Sequence, residues 1–394
     1  MLTASTWVPH RGLQARLQAT ESGSSEDESM AGYYRGTNGF NFFRNAADPR
    51  WRPPQRGALG GLLAHWAVHH RKPALIAIPT GAGKTGIALA AAHLASPRRV
   101  LVVVPSTQLR QQLVEAFSSQ ALLRAAGALT GNQDPNVLEV TGRVESWQDC
   151  RAHDVVIGLP QSISPEHYDD ASKPPEDLFD LVIVDEAHHS PARTWQAILD
   201  HFPSAQKVLL TATPRRRDGK RVPGELIFHY PLRSAIAEGF YQVVEARLLP
   251  VSPGADQAGN DRAIRDELAV ELQRPELASS TRLIRARNRT RAKTLVDLYA
   301  EVGIEAVALT SDLGARRQTD IIEGLRDGSI RAVAVVGMLA EGFDLPRLRL
   351  VAYHDKHKSV GSTVQLIGRL VRVHPDYPQP SVLLTVLDAD VYPA

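Results

Sequence analysis

Residues 79–85 read Pro-Thr-Gly-Ala-Gly-Lys-Thr and directly follow an apolar run at 74–78. Gly81 and Gly83, with Thr80 and Ala82 beside them, let the backbone curl so that successive N–H groups converge on an anion. A helix starting near Lys84 would aim the positive end of its dipole at the same point. Lys84 is then placed to neutralise the β and γ phosphates of a nucleoside triphosphate, and the Thr85 hydroxyl to hold Mg²⁺. The spacing is GxGK[ST] with Thr80 leading it; Ile78 stands where the longer GxxxxGK[ST] form has its first glycine. A second constellation, Asp185-Glu186-Ala187-His188, closes the apolar run at 181–184. An acid pair at the C-terminal end of a buried parallel strand lies where α/β sheets bind ligands. Asp185 would hold Mg²⁺ through its water shell, and Glu186 would orient and deprotonate an attacking water. The alternative is a surface acidic turn. His188 and His189 have no third ligand cluster beside them and read as hydrogen-bonded structure. The loop alone leaves several ATPase and GTPase classes open.

These groups need a frame that holds them. The chain has 394 residues, 43% of them hydrophobic, enough for two domains with separate cores. Short apolar runs at 74–78, 100–104, 154–157, 181–184 and 207–210 alternate with helical patterns, as at 86–95 and 107–117. A second alternating block has runs at 282–286, 305–308, 332–336, 348–352 and 382–387. Such alternation predicts an α/β fold of two tandem domains, each a parallel sheet flanked by helices. Residues 1–35 contain the tract ESGSSEDES and are expected to be weakly structured. Residues 36–250 form the expected first domain, 251–280 a linker and 281–394 the second domain. The aromatic, glycine-rich stretch at 32–43 is expected to pack on the first domain, with contact to ligand as the alternative. Net charge is only +2, although Arg outnumbers Lys 37 to 8. That bias matches planar phosphate contacts, and equally the codon usage of a GC-rich genome. One cysteine, Cys150, fits a reducing compartment. No apolar stretch is long enough to span a membrane, and no signal core opens the chain, so a soluble, intracellular protein is expected.

The order of motifs over residues 50–390 resembles the superfamily 2 helicases and translocases of the DEAD/DEAH type. Arg52-Pro53-Pro54-Gln55 resembles the glutamine motif, and Pro105 to Gln112 (PSTQLRQQ) resembles motif Ia. Thr211-Ala212-Thr213-Pro214 resembles motif III, GMLAEGFDLP with Gly342 and Asp344 resembles motif V, and Gln365 to Arg372 (QLIGRLVR) resembles motif VI. Motif Ib is matched at 155–162 with Leu159 in place of the usual threonine. The resemblance implies two RecA-like domains with the ATP site in the cleft between them. It implies that Gln55 reads the adenine edge, that Asp344 contacts the ribose, that Gly342 allows close backbone approach, and that Gln365 lines the nucleotide site. Arg369 and Arg372 lie three apart and share one helix face. From the second domain they would neutralise transition-state charge, so hydrolysis would depend on domain closure. Lys84, Asp185, Glu186, Arg369 and Arg372 are the expected catalytic set, with ATP and Mg²⁺ as cofactors.

GMLAEGFDLP and LRSAIAEG at 232–239 look closest to the translocase subunits of type III restriction enzymes. That likeness tilts the expected partner to DNA over RNA, in genome defence or repair, and leaves room for a nuclease or methylase partner. The basic clusters Arg215 to Arg217 with Lys220 and Arg221, and Arg285 to Lys293, are candidate backbone contacts or solvated loops. Two other readings stay open. About 20 residues follow motif VI, little for a strand-splitting wedge, which suits an ATP-controlled nucleic-acid clamp. An RNA helicase would carry the same motifs.

Overall fold

The computed structural model describes residues 32–36, 38–42, 51–189, 193–214, 222–250, 256–336, 345, 347–355, 370–371, 373 and 376–386. Its strands form two sheets. The first contains β1 (Ala74–Ala77), β2 (Val100–Val103), β3 (Val137–Val140), β4 (Val155–Gly158), β5 (Leu181–Val184), β6 (Gln206–Thr211) and β7 (Glu225–His229). The second contains β8 (Val244–Leu249), β9 (Thr281–Arg285), β10 (Ala306–Leu309), β11 (Ala332–Val335), β12 (Leu348–Tyr353) and β13 (Ser381–Val386). The strand orders are β3-β4-β2-β5-β6-β1-β7 and β10-β11-β9-β12-β13-β8. Every pairing between these strands is parallel.

Parallel strands joined through helices are covered on both faces, and the packing follows from that. Along β2, Val100 and Val102 enter one core while Leu101 and Val103 enter another. Along β11, Ala332 and Ala334 divide from Val333 and Val335 in the same way. Each sheet therefore separates two apolar layers, because successive side chains leave a strand on opposite faces. This is the tandem RecA-like arrangement that the motif order implies.

The expected domain limits change. β8 lies inside the segment assigned to the first domain, yet it pairs with β13 in the second sheet, with Val244 opposite Ser381 and Leu249 opposite Val386. The segment expected as a linker is also largely folded. Helices Gln257–Glu271 and Pro275–Ala278 place Ile264, Leu268 and Leu277 in a core of the second sheet. The first of them is capped by the Asp256 carboxylate, which accepts the Gly259 N–H at 2.8 Å. The second unit thus begins near Val244. At the other end, Gly32–Arg35 is a short helix rather than loose chain, and its Tyr34 is buried. Tyr33 N–H donates to Asp154 Oδ1 at 2.8 Å, and Phe40 bridges antiparallel to Leu129. The aromatic stretch therefore packs on the first domain, as expected.

Candidate nucleotide site

β1, β6 and β5 are neighbours and parallel, so their C-terminal ends leave the first sheet along one edge. β1 runs into the glycine loop and then into the helix Lys84–Ala95. Gly81 and Gly83 take φ of 88° and 97°, in the left-handed region that favours glycine. A Cβ on Gly83 would also stand 2.3 Å from Gln55 Nε2. Conformation and space both demand glycine there.

A loop that turns its N–H groups inward turns its carbonyls outward, and buried carbonyls need donors. Each is supplied. Pro79 O accepts the Ala82 N–H at 3.2 Å. Thr80 O accepts the Tyr241 hydroxyl at 2.6 Å, Gly81 O accepts Arg52 Nη1 at 2.7 Å, and Gly83 O accepts Gln55 Nε2 at 3.2 Å. Gln55 Oε1 meanwhile accepts the Arg52 N–H at 3.0 Å, so the N3 side chain satisfies the N-cap amide of the helix Pro53–Val68. The Arg52–Gln55 turn thus acts as an outer brace on the phosphate loop. Both ends of the Gln55 amide are engaged in it.

The acid pair is a tight turn beyond β5. Glu186 adopts φ 52°, unusual for a residue with a side chain, and its N–H donates to Asp185 Oδ1 at 2.9 Å. Lys84 Nζ lies 2.5 Å from Glu186 Oε1, and both side chains are 9% exposed. Burial would raise the Glu186 carboxyl, but the Lys84 ammonium and the neighbouring His188 outweigh it and hold the group well below the usual carboxylate range. His188 Nδ1 sits 3.4 Å from Glu186 Oε2 and 3.2 Å from Thr211 Oγ1. Thr211 Oγ1 in turn donates to Thr213 O and accepts the Thr213 N–H, each at 3.0 Å. The ends of β5 and β6 are therefore joined through side chains. Asp185 is buried and Thr85 half-buried in the first helical turn. A carboxylate and a hydroxyl are oxygen donors suited to a hard cation such as Mg²⁺. Among the described residues, Thr80 Oγ1 is buried without a hydrogen-bond partner, which fits a cleft completed by a polar ligand.

Gly342, Asp344, Gln365, Arg369 and Arg372 lie outside the described residues, as do Arg215, Arg216, Arg217, Lys220 and Arg221. Leu370 and Val371, between the two motif VI arginines, are described and buried. The second basic cluster divides. Arg287, Arg289 and Lys293 are exposed. Arg285 is 7% exposed, and burial pushes its pKa down. Arg291 is held by Asp261 at 2.8 Å and Asp355 at 3.3 Å, and His354 Nδ1 also meets Asp261 at 2.9 Å. Arg285 and Arg291 therefore serve the fold, because buried guanidinium groups need internal partners. Arg110 of the motif Ia match is likewise turned inward, donating to Glu139 Oε1 at 2.8 Å and Val140 O at 2.9 Å. Sequence reasoning missed Tyr241, Asp261 and His354. No periodicity or spacing marks them, because each meets its partner across a long stretch of chain.

Comparison with known proteins agrees with this geometry. The family described as "Type III restriction enzyme, res subunit" matches residues 48–216, and "Helicase conserved C-terminal domain" matches 268–374. The chain is 24% identical over 350 residues to "Putative helicase 22" of Sulfolobus islandicus filamentous virus, covering 81% of this chain and 61% of that protein. Among solved structures, a fragment of a putative HsdR subunit of a type I restriction enzyme from Vibrio vulnificus is similar at 20% identity and a TM-score of 0.61. That match covers 86% of this chain and 66% of the other. The Type ISP restriction-modification enzyme LlaBIII bound to DNA is similar at 20% identity and a TM-score of 0.63, covering 87% and 28%.

Proposed function

Because the chain belongs to the superfamily 2 helicases and translocases, we propose that it is a nucleic-acid-stimulated ATPase that moves on or separates strands, with DNA as the preferred track. The Lys84–Glu186 pair carries this reading, since it joins the phosphate lysine to the carboxylate that would activate water. Mg²⁺, held by Thr85 and Asp185, would supply charge neutralisation at the phosphates. The protein's own residues do the rest. The polyphosphate competes with Glu186 for Lys84. As the ammonium shifts to phosphate oxygens, Glu186 loses the partner that depresses its pKa and becomes a better base. The carboxylate then takes a proton from the water that attacks the γ-phosphorus, while His188 holds its second oxygen. Arg369 and Arg372 neutralise the developing charge from the second unit. Gln55 braces the loop, and adenine reading by this residue would require its amide to exchange one of its present partners. Asp344, Gly342 and Gln365 complete the nucleotide contacts from the second unit.

DNA is favoured over RNA by the likeness to restriction enzymes, one of them bound to DNA. The same likeness supports a role in genome defence or repair beside a nuclease or methylase partner. ATP turnover measured in parallel with single-stranded DNA, double-stranded DNA and RNA tests the assignment. DNA should stimulate most, and turnover indifferent to all three would overturn it. Glu186→Gln should bind ATP yet hydrolyse it about 10²–10⁴-fold more slowly. Retained stimulated turnover in that variant would remove Glu186 from its role.

A further inference from the structure

The short connector between the two sheets touches the phosphate loop on one side and Val371, a described residue of the motif VI match, on the other. Tyr241 is 4% exposed, and its hydroxyl donates to Thr80 O inside the phosphate loop at 2.6 Å. The next residue, Gln242, donates its backbone N–H to Val371 O at 2.8 Å. Val371 directly precedes Arg372 in the chain, and its side chain packs in a core of the first sheet, whereas neighbouring Leu370 packs in a core of the second. Two residues after Gln242 the chain enters β8, the edge strand of the second sheet. One dipeptide is thus hydrogen-bonded to the phosphate loop on one side and to the motif VI segment on the other, and it is continuous with a strand of the second unit.

We propose that Tyr241 and Gln242 are positioning residues that couple occupancy of the phosphate loop to placement of the Leu370-Val371 segment, and through it to nucleic-acid affinity. The proposal rests on the motor reading above. The physical case has two parts. The Thr80 carbonyl belongs to a peptide that must turn outward for the loop to present N–H groups to phosphate, and Tyr241 senses that orientation through the hydrogen bond from its hydroxyl. Gln242 has no freedom to shift independently of Tyr241, because they are adjacent and the following strand is paired along its length with β13. A change at Thr80 therefore reaches Val371 through two hydrogen bonds and one peptide unit.

The test measures single-stranded DNA affinity with and without a non-hydrolysable ATP analogue, in the full chain, for wild type, Tyr241→Phe and Gln242→Pro. Tyr241→Phe keeps the ring and removes the hydroxyl; Gln242→Pro keeps Tyr241 and removes the N–H. Thermal unfolding midpoints serve as the folding check. Wild type should bind DNA more tightly with the analogue. In each variant that enhancement should shrink about fivefold, equivalent to about 1 kcal/mol for one hydrogen bond, while DNA affinity without analogue stays within twofold. Reciprocity requires the DNA-induced gain in analogue affinity to shrink by the same factor. Variants that keep the full enhancement, or that lose DNA affinity equally in both conditions, overturn the coupling. If Gln242→Pro fails to fold, Tyr241→Phe alone decides. A wild type whose DNA affinity ignores the nucleotide overturns the motor reading itself.

Discussion

At the level of single residues, the loop and the acid pair hold one another. Lys84 and Glu186 are mostly removed from solvent, so each is the other's main compensation for lost hydration. Replacing Lys84 by Met should leave the buried carboxylate with only His188 beside it and lower stability by about 3 kcal/mol, whereas the double change Lys84→Met, Glu186→Gln should recover most of it. Urea denaturation of the three proteins checks this; equal loss in the single and double variants would refute mutual compensation. The pH behaviour follows from the same pair. A carboxyl whose folded pKa is depressed contributes stability that is complete above its ordinary value of 4.5 and lost as pH falls through the folded value. Mild acid should therefore leave this contact intact.

At the level of elements, the strands that read clearly in the sequence and those that did not divide by position. Of the ten apolar runs, nine became strands with both neighbours present, and the tenth is the edge strand β10. β3, β7 and β8 were not foreseen, and all three lie at sheet edges. An interior parallel strand is buried on both faces and carries an apolar run, even where single Arg or Lys side chains are buried with it as in β6, β9 and β12, while an edge strand such as Val244–Leu249 alternates with Glu245 and Arg247. The aromatic segment at 32–42 carries its own prediction. His93 stacks on Phe40 with centroids 4.5 Å apart and meets Tyr34 edge-on at 5.0 Å. Burial pushes its pKa from 6.5 to about 4. The neutral ring therefore contributes stability that is complete above pH 6.5 and lost as pH falls towards 4, by roughly 1.4 kcal/mol per pH unit at most. Amide exchange of residues 32–42 should accelerate over that window, and His93→Leu should abolish the pH dependence. An unchanged slope in the variant would place the effect elsewhere.

For the molecule as a whole, a net charge of +2 supplies no strong general field, so any salt dependence of nucleic-acid binding must come from local contacts. Arg287 and Arg289, with Lys293, are the exposed members of a basic cluster whose Arg285 and Arg291 are turned inward. Replacing Arg287 and Arg289 by Ala should reduce the slope of log affinity against log salt by about 1–2 and leave unfolding unchanged. Arg291→Ala should instead lower the unfolding midpoint, because Asp261 and Asp355 lose a shared cation. The opposite pattern would reverse the assignment of surface and core arginines.

The sequence by itself determined the α/β alternation, the phosphate loop and the acid pair, because these depend on residues adjacent in the chain: glycines that permit a turn, apolar runs that must be buried, carboxylates just past a strand. The tertiary structure decided where the second unit begins, which arginines face solvent, and which donors brace the loop. Those outcomes depend on partners far apart in the chain, such as Tyr241 and Thr80 or Arg291 and Asp355. Hydrogen bonds and ion pairs over such separations leave no period in a sequence, since only the folded chain brings their two halves within reach.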